Sequence, residues 1–215
     1  MLTLKRTLNR LLLLPAVVLA AGCGGGRHPA APAAASGGLR GLVLQPLPRK
    51  PSLILTDTAG RPFDLDAATA GKLTYLYFGY THCPDACPLT MSDLAAALRE
   101  QPIGIRRRVA VVFVTVDPTR DTRKALRAWL ALFDRAFVGL TGSPRQIVAA
   151  ERAAGVPLAP PERVHGSTYT VAHSTLVLAY SPDNLAHVVY SEGFHAADYA
   201  HDLPLLLAAG RQPAR

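Results

Sequence analysis

Residues 73–80 read LTYLYFGY and residues 109–116 read VAVVFVTV. Both are continuous apolar and aromatic runs without polar alternation, which suits strands buried on both faces of a sheet. Between them Leu89, Met91, Leu94, Ala95 and Leu98 recur at helical spacing within residues 88–99. Strand, helix, strand implies a right-handed parallel crossover.

The flanks extend this unit. Upstream, Leu53-Ile54-Leu55 and Pro62-Phe63-Asp64-Leu65 enclose Asp57-Thr58-Ala59-Gly60, which reads as two short strands around a turn. Downstream, Asp121-Thr122 offers a helix start, and Leu126, Trp129, Leu130 and Phe133 share one face. Trp129 is read as core. Phe137 to Leu140 is a short strand. Ser143-Pro144 is an N-cap followed by proline at the first helical position, opening a helix that ends near Gly155. Pro157 to Gly166 is expected as proline-rich loop. Thr175 to Tyr180 and Ala186 to Tyr190 read as strands joined across Ser181-Pro182-Asp183-Asn184. A last helix is expected from about Ala196 to Ala209. The order predicts an α/β domain with a central mixed sheet and helices on both faces.

Composition permits such a core, since 49% of the 215 residues are hydrophobic and only 18% are charged. Twenty-three Lys and Arg against 15 Asp and Glu give a formal charge of +8. The basic residues are scattered, with one short run at Arg106-Arg107-Arg108. They form no stripe interleaved with aromatics, so solvated surface is expected rather than nucleic-acid binding.

The chain opens with Lys5, Arg6 and Arg10, then an apolar run from Leu11 to Ala21, then Gly22-Cys23. A basic start, a short apolar stretch and small residues make a secretory signal. The run falls short of the roughly 20 residues a membrane span needs. Small residues leading directly into a cysteine resemble a bacterial lipoprotein signal. That resemblance implies cleavage after residue 22 and lipidation of Cys23, with the mature protein in the cell envelope, facing the periplasm or the exterior. Residues 23–50 are rich in Gly, Ala and Pro and are expected as a tether, because such composition buries too little apolar area to offset chain entropy. The folded domain is then expected over residues 51–210.

Cys83 and Cys87 are the only cysteines of that domain, placed where the first long strand ends, in Tyr80-Thr81-His82-Cys83-Pro84-Asp85-Ala86-Cys87-Pro88. Ends of central strands in open α/β sheets are where ligands bind. A four-residue spacing puts both sulfurs on one face of a helical turn, with Cα atoms about 6 Å apart, within reach of a disulfide. A helix N-terminus also favours thiolate. The pair can therefore cycle between dithiol and disulfide, or present two thiolates to a soft metal, copper(I) or zinc. A plain stabilising disulfide is the alternative, and an exported protein would preserve one. Closing so short a loop, however, removes little chain entropy.

Further motifs join this one: Phe78-Gly79 before the cysteine loop, Val116-Asp117-Pro118-Thr119-Arg120-Asp121-Thr122, Gly139-Leu140-Thr141-Gly142-Ser143, and Ala172-His173-Ser174-Thr175. In this order and spacing the chain resembles the Sco/SenC family of copper chaperones and oxidase-assembly factors over about residues 51–210. The resemblance implies a thioredoxin-like fold with an added β-hairpin. It implies a copper site, copper(I) and possibly copper(II), formed by Cys83, Cys87 and His173. It also implies a client: the copper-bearing subunit of cytochrome c oxidase, or another periplasmic copper protein. Many members carry Asp before the metal histidine, whereas this chain has Ala172, which predicts weaker orientation of the ligand. His82 is a minor ligand candidate, since its side chain should diverge from that of Cys83. His165, His187, His195 and His201 are expected as ordinary surface or packing residues. Asp117 is read as shaping its loop and Asp85 as a turn former.

Three functions fit these residues. One is a metallochaperone that builds the binuclear copper centre of the oxidase. Another is a thiol–disulfide oxidoreductase that reduces cysteines of a copper protein, with Cys83 and Cys87 as a catalytic redox pair. The third is a thiol peroxidase with attacking and resolving thiols.

Overall fold

The computed structural model describes residues 38–158, 161–165 and 168–209. The expected leader, Cys23 and the expected tether up to residue 37 lie outside them. No helix among the described residues is long and apolar enough to cross a membrane.

Among the described residues ten strands and six helices follow one another. They are β1 (Leu42–Val43), β2 (Ile54–Asp57), β3 (Pro62–Asp64), α1 (Leu65–Ala68), β4 (Leu73–Gly79), α2 (Ala86–Arg99), α3 (Ile103–Arg106) and β5 (Val109–Thr115). Then come α4 (Arg123–Leu130), β6 (Val138–Thr141), α5 (Pro144–Ala154), β7 (Pro161–His165), β8 (Thr168–Val171), β9 (Val177–Tyr180), β10 (Ala186–Tyr190) and α6 (Ala196–Ala209). Eight strands form one sheet in the order β1-β10-β9-β4-β5-β6-β2-β3. β4, β5 and β6 run parallel, and the rest pair antiparallel. The expected mixed sheet is therefore present, with β4 and β5 at its centre.

All seven residues of β4 are buried. Tyr75 and Tyr77 point into one core with Met91 and Leu94 of α2, Leu126 of α4, and Leu203 and Leu206 of α6. Leu76 and Phe78 point into a second core with Leu65 of α1 and Ile147 of α5. Alternation along one strand thus feeds a helical layer on each face. The local signals hold as well. The Thr122 hydroxyl caps α4 through the Ala125 N–H, and Ser143 and Gln146 make a reciprocal capping box at α5. Gly155 ends α5 at φ 69°, in the left-handed region glycine tolerates.

Two expectations are corrected. The tether was expected to run to residue 50, but residues 38–50 pack on the domain. β1 pairs with β10, Arg49 bridges Leu185, and buried Lys50 donates to Thr69 Oγ1 at 2.8 Å. The physical anchor is Asp202 of α6, fully buried. Its carboxylate accepts the backbone N–H groups of Arg40 and Gly41 at 2.8 Å and the Tyr190 hydroxyl at 3.0 Å. Gly41 lies so close to Tyr190 that an added Cβ would meet the ring at 2.8 Å. The segment from Pro157, expected as loop throughout, contains β7, which pairs antiparallel with β8 as a separate two-stranded sheet. Pro161 is tolerated there because it occupies the first position of an edge strand.

Candidate metal centre

The chain leaves the sheet at Tyr80 and turns back at once, the Cys83 N–H donating to the Tyr80 carbonyl at 3.2 Å. α2 starts at Ala86, two residues before the expected Pro88. Cys87 therefore sits in its first turn while Cys83 stays outside, in the approach loop. This refines the expectation of both sulfurs on one helical turn. The link between them is instead the Cys87 N–H, which points at Cys83 Sγ at 3.5 Å, using a donor the helix leaves unpaired. Asp85 contributes through its backbone, since its side chain makes no capping bond.

The loop is held from the neighbouring strand end. Asp121, 1% exposed, accepts the Thr81 N–H at 2.9 Å, the Thr81 hydroxyl at 2.6 Å and the Thr115 hydroxyl at 2.6 Å. In the sequence Asp121 reads as a helix-start signal and as part of the 116–122 motif. Its clamp joins residues 40 apart and has no local signature. Gly79 gives the second cysteine its room, because a Cβ there would lie 2.6 Å from Cys87 Sγ.

His173 arrives from the other side, between β8 and β9. Its Nε2 lies 3.4 Å from Cys87 Sγ, and its Nδ1 lies 2.9 Å from the Ser174 carbonyl. A carbonyl only accepts, so Nδ1 carries a proton, which leaves Nε2 as the nitrogen that faces the sulfurs and can serve as the ligand atom. The ring stands edge-on to Tyr77 and Tyr80, with centroids 6.1 and 5.4 Å away. The orienting partner that Ala172 lacks is thus supplied by backbone, and Ala172 itself is exposed.

Cys83, Cys87 and His173 form a cluster whose ligand atoms all lie within 4.8 Å of one another. His82 does not join it. Its half-exposed ring sits 3.1 Å from Thr81 Oγ1 and 3.6 Å from Asp121. His187, His195 and His201 neighbour Asp183, Asp93 and Asp202 respectively, away from the thiols. The side chain of His165 lies outside the described residues. Asp117 shapes its loop as expected, pairing with Arg120 and accepting the Tyr169 hydroxyl at 2.8 Å.

The two thiols are electrostatically unequal. Cys83, partly exposed, is lowered to about 3. The Cys87 thiol donating to its sulfur contributes most, then His173 and the N–H groups of Cys87 and Asp85, all against burial. Cys87 is raised, first by burial and then by the Cys83 sulfur beside it. Burial pulls His173 down, but its bonds to Cys83 and to the Ser174 carbonyl outweigh that and raise it overall. Two sulfurs and one imidazole are a soft donor set suited to copper(I). Metal–thiolate bonds of about 2.3 Å in a trigonal site place ligands about 4 Å apart, so this cluster fits such an ion with little movement.

Sheet, helical layers and site define a thioredoxin-like domain with two thiols and one imidazole converging at the end of its central strand. The chain belongs to the SCO1/SenC family, whose model matches residues 48–208. A relative from Stutzerimonas stutzeri is 35% identical over 140 residues, covering 64% of this chain and 68% of its own. The mitochondrial protein SCO1 homolog of Homo sapiens is 31% identical over 140 residues, covering 65% of this chain. The match spans only 46% of that human relative. Among solved structures, Arabidopsis thaliana ScoI with copper bound superposes with a TM-score of 0.65 at 30% identity, covering 74% of this chain and 97% of the other.

Proposed function

We propose that this protein binds one copper ion through Cys83, Cys87 and His173. It would carry that ion as cargo to a copper protein, the copper-bearing subunit of cytochrome c oxidase being the client the family resemblance implies. The observation that carries this reading is the convergence of the three ligand atoms within 4.8 Å, with Nε2 facing the sulfurs and Nδ1 held by the Ser174 carbonyl. Membership of the SCO1/SenC family and likeness to a relative solved with copper bound support it. A three-ligand site leaves a coordination position open, so an incoming ligand can take the ion by exchange. The test is an anaerobic copper(I) titration of the reduced domain. One equivalent should bind, replacing Cys83 or Cys87 should abolish stoichiometric uptake, and His173→Ala should bind measurably more weakly. Unchanged uptake by His173→Ala sinks the three-ligand site.

A second reading draws on the inequality of the thiols. A partly exposed thiolate beside a buried, protonated thiol is the arrangement a thiol–disulfide oxidoreductase uses. Cys83 would attack a client disulfide and release one client thiolate. Cys87, losing its proton, would then displace the second, leaving the client reduced and Cys83–Cys87 oxidised. A Cys87→Ser protein should accumulate the mixed disulfide with its client, and a His173→Ala protein should keep exchange activity.

The lipoprotein-like leader supports a lipid-anchored protein in the bacterial envelope, with Cys23 as the modified residue and residues up to 37 as its tether. Mass spectrometry of the N-terminal peptide tests this, and an unmodified Cys23 in the mature protein would refute it.

A further inference from the structure

We infer that Arg120 is a positioning residue for His173: its guanidinium, with Tyr169, Tyr80 and Asp117, holds the hairpin that delivers the imidazole to the two sulfurs. This rests on the three-ligand reading above.

His173 sits on no regular element. β8 ends at Val171 and β9 begins at Val177, so residues 172–176 have no strand pairing. The preceding β7–β8 hairpin is a sheet of its own, and among the described residues no ladder ties it to the central one. Arg120 makes the tie. Its Nη1 donates to the Tyr169 carbonyl at 2.9 Å, and its guanidinium carbon lies 3.7 Å from the Tyr169 ring centroid. Its Nε pairs with Asp117, and the Tyr169 hydroxyl donates to the same carboxylate at 2.8 Å. One guanidinium and one carboxylate thus grip both the backbone and the side chain of a residue four positions before His173.

The same guanidinium reaches the other wall of the site. It lies 5.6 Å from the Tyr80 ring, and Tyr80 stands edge-on to His173 at 5.4 Å. The chemistry is specific to arginine. A planar fork can donate along its edge while stacking with its face, which an ammonium cannot do. Arg120 Nη2 is buried without a partner among the described residues. An apolar side chain would fill this space without that unmet donor, so the arginine is held here for its other contacts. Its neighbour Asp121 grips the cysteine loop through Thr81, so one short segment holds both arms of the site.

The experiment compares Arg120→Met, Arg120→Lys, Tyr169→Phe, His173→Ala and the Arg120→Met/His173→Ala double variant. In metal-free protein, amide exchange over residues 168–174 should quicken by about tenfold or more in Arg120→Met while α2 and β5 stay protected. Copper(I) affinity should fall about tenfold or more, toward the His173→Ala level, with the imidazole signal lost from the copper X-ray absorption spectrum. The double variant should bind no more weakly than His173→Ala alone. Arg120→Lys should keep most of the defect, and Tyr169→Phe should show a smaller one. Unchanged alkylation of Cys83 shows the cysteine arm intact in each variant. A purely structural role predicts a lower melting temperature with affinity and exchange at 168–174 unchanged, and that result overturns the inference. So does an additive double variant. Wild-type copper affinity in His173→Ala would instead break the three-ligand reading, and the metal-free exchange would then decide the hold of Arg120 by itself.

Discussion

The two arms of the site are built differently. The cysteine arm continues the core. β4 is buried throughout, Cys87 is in the first turn of α2 and fully buried, and Asp121 locks Thr81 with two short bonds. The histidine arm hangs from a separate hairpin, and its imidazole is fixed by one backbone carbonyl and two tyrosine edges. The contrast assigns different roles. The proposed thiol ligands sit in the fold itself, while the proposed third ligand follows a hairpin that pairs only with itself among the described residues.

The sharpest way to break this comparison is to remove a ligand from each arm. Cys83→Ser and Cys87→Ser should each weaken copper(I) binding by more than about 100-fold, while His173→Ala loses less and keeps a reactive Cys83. Competition titration against a copper(I) chelator measures both, and equal losses from the two arms would erase the distinction. Asp121→Ala comes next. It leaves the Thr81 N–H and two hydroxyls without their acceptor, which should cost about 2–3 kcal/mol in denaturant unfolding and loosen the cysteine loop. Gly79→Ala forces a methyl against Cys87 Sγ and should cost about 1–3 kcal/mol while lowering copper affinity.

A pH experiment sharpens the inequality within the cysteine arm. With Cys83 lowered to about 3, its alkylation rate should stay flat from about pH 5 to about pH 8, because the thiolate is already fully formed. Cys87 is raised and should react slowly across the same range. A Cys83 rate that climbs tenfold per pH unit would contradict this. The smallest effect is expected at Ala172. The Ser174 carbonyl already fixes the tautomer, so Ala172→Asp should change copper affinity by less than about threefold.

Legibility in the sequence divided along the same line. The apolar runs at 73–80 and 109–116 announced β4 and β5, and the cysteines stood at the end of one of them, so the fixed arm could be read directly. His173 is singled out by resemblance, and its own segment adds only that it precedes the apolar strand Thr175 to Tyr180. The segment of β7 reads as loop because Pro157, Pro160 and Pro161 are strong breakers locally, while edge position decides whether a strand tolerates them. Residues 38–50 read as tether because they continue a Gly-, Ala- and Pro-rich stretch, yet they hold Leu39, Leu42, Val43, Leu44 and Leu47, and a buried carboxylate 160 or so positions away in the chain collects the N–H groups of Arg40 and Gly41. Asp121, Arg120 and Asp202 act through such long-range bonds, which periodicity and spacing do not encode.

The most direct test of the central claim is copper X-ray absorption on the reduced, copper(I)-loaded domain. The account predicts two sulfur ligands and one imidazole nitrogen, with the nitrogen absent in His173→Ala. A spectrum that is all sulfur, or one unchanged by His173→Ala, would contradict it.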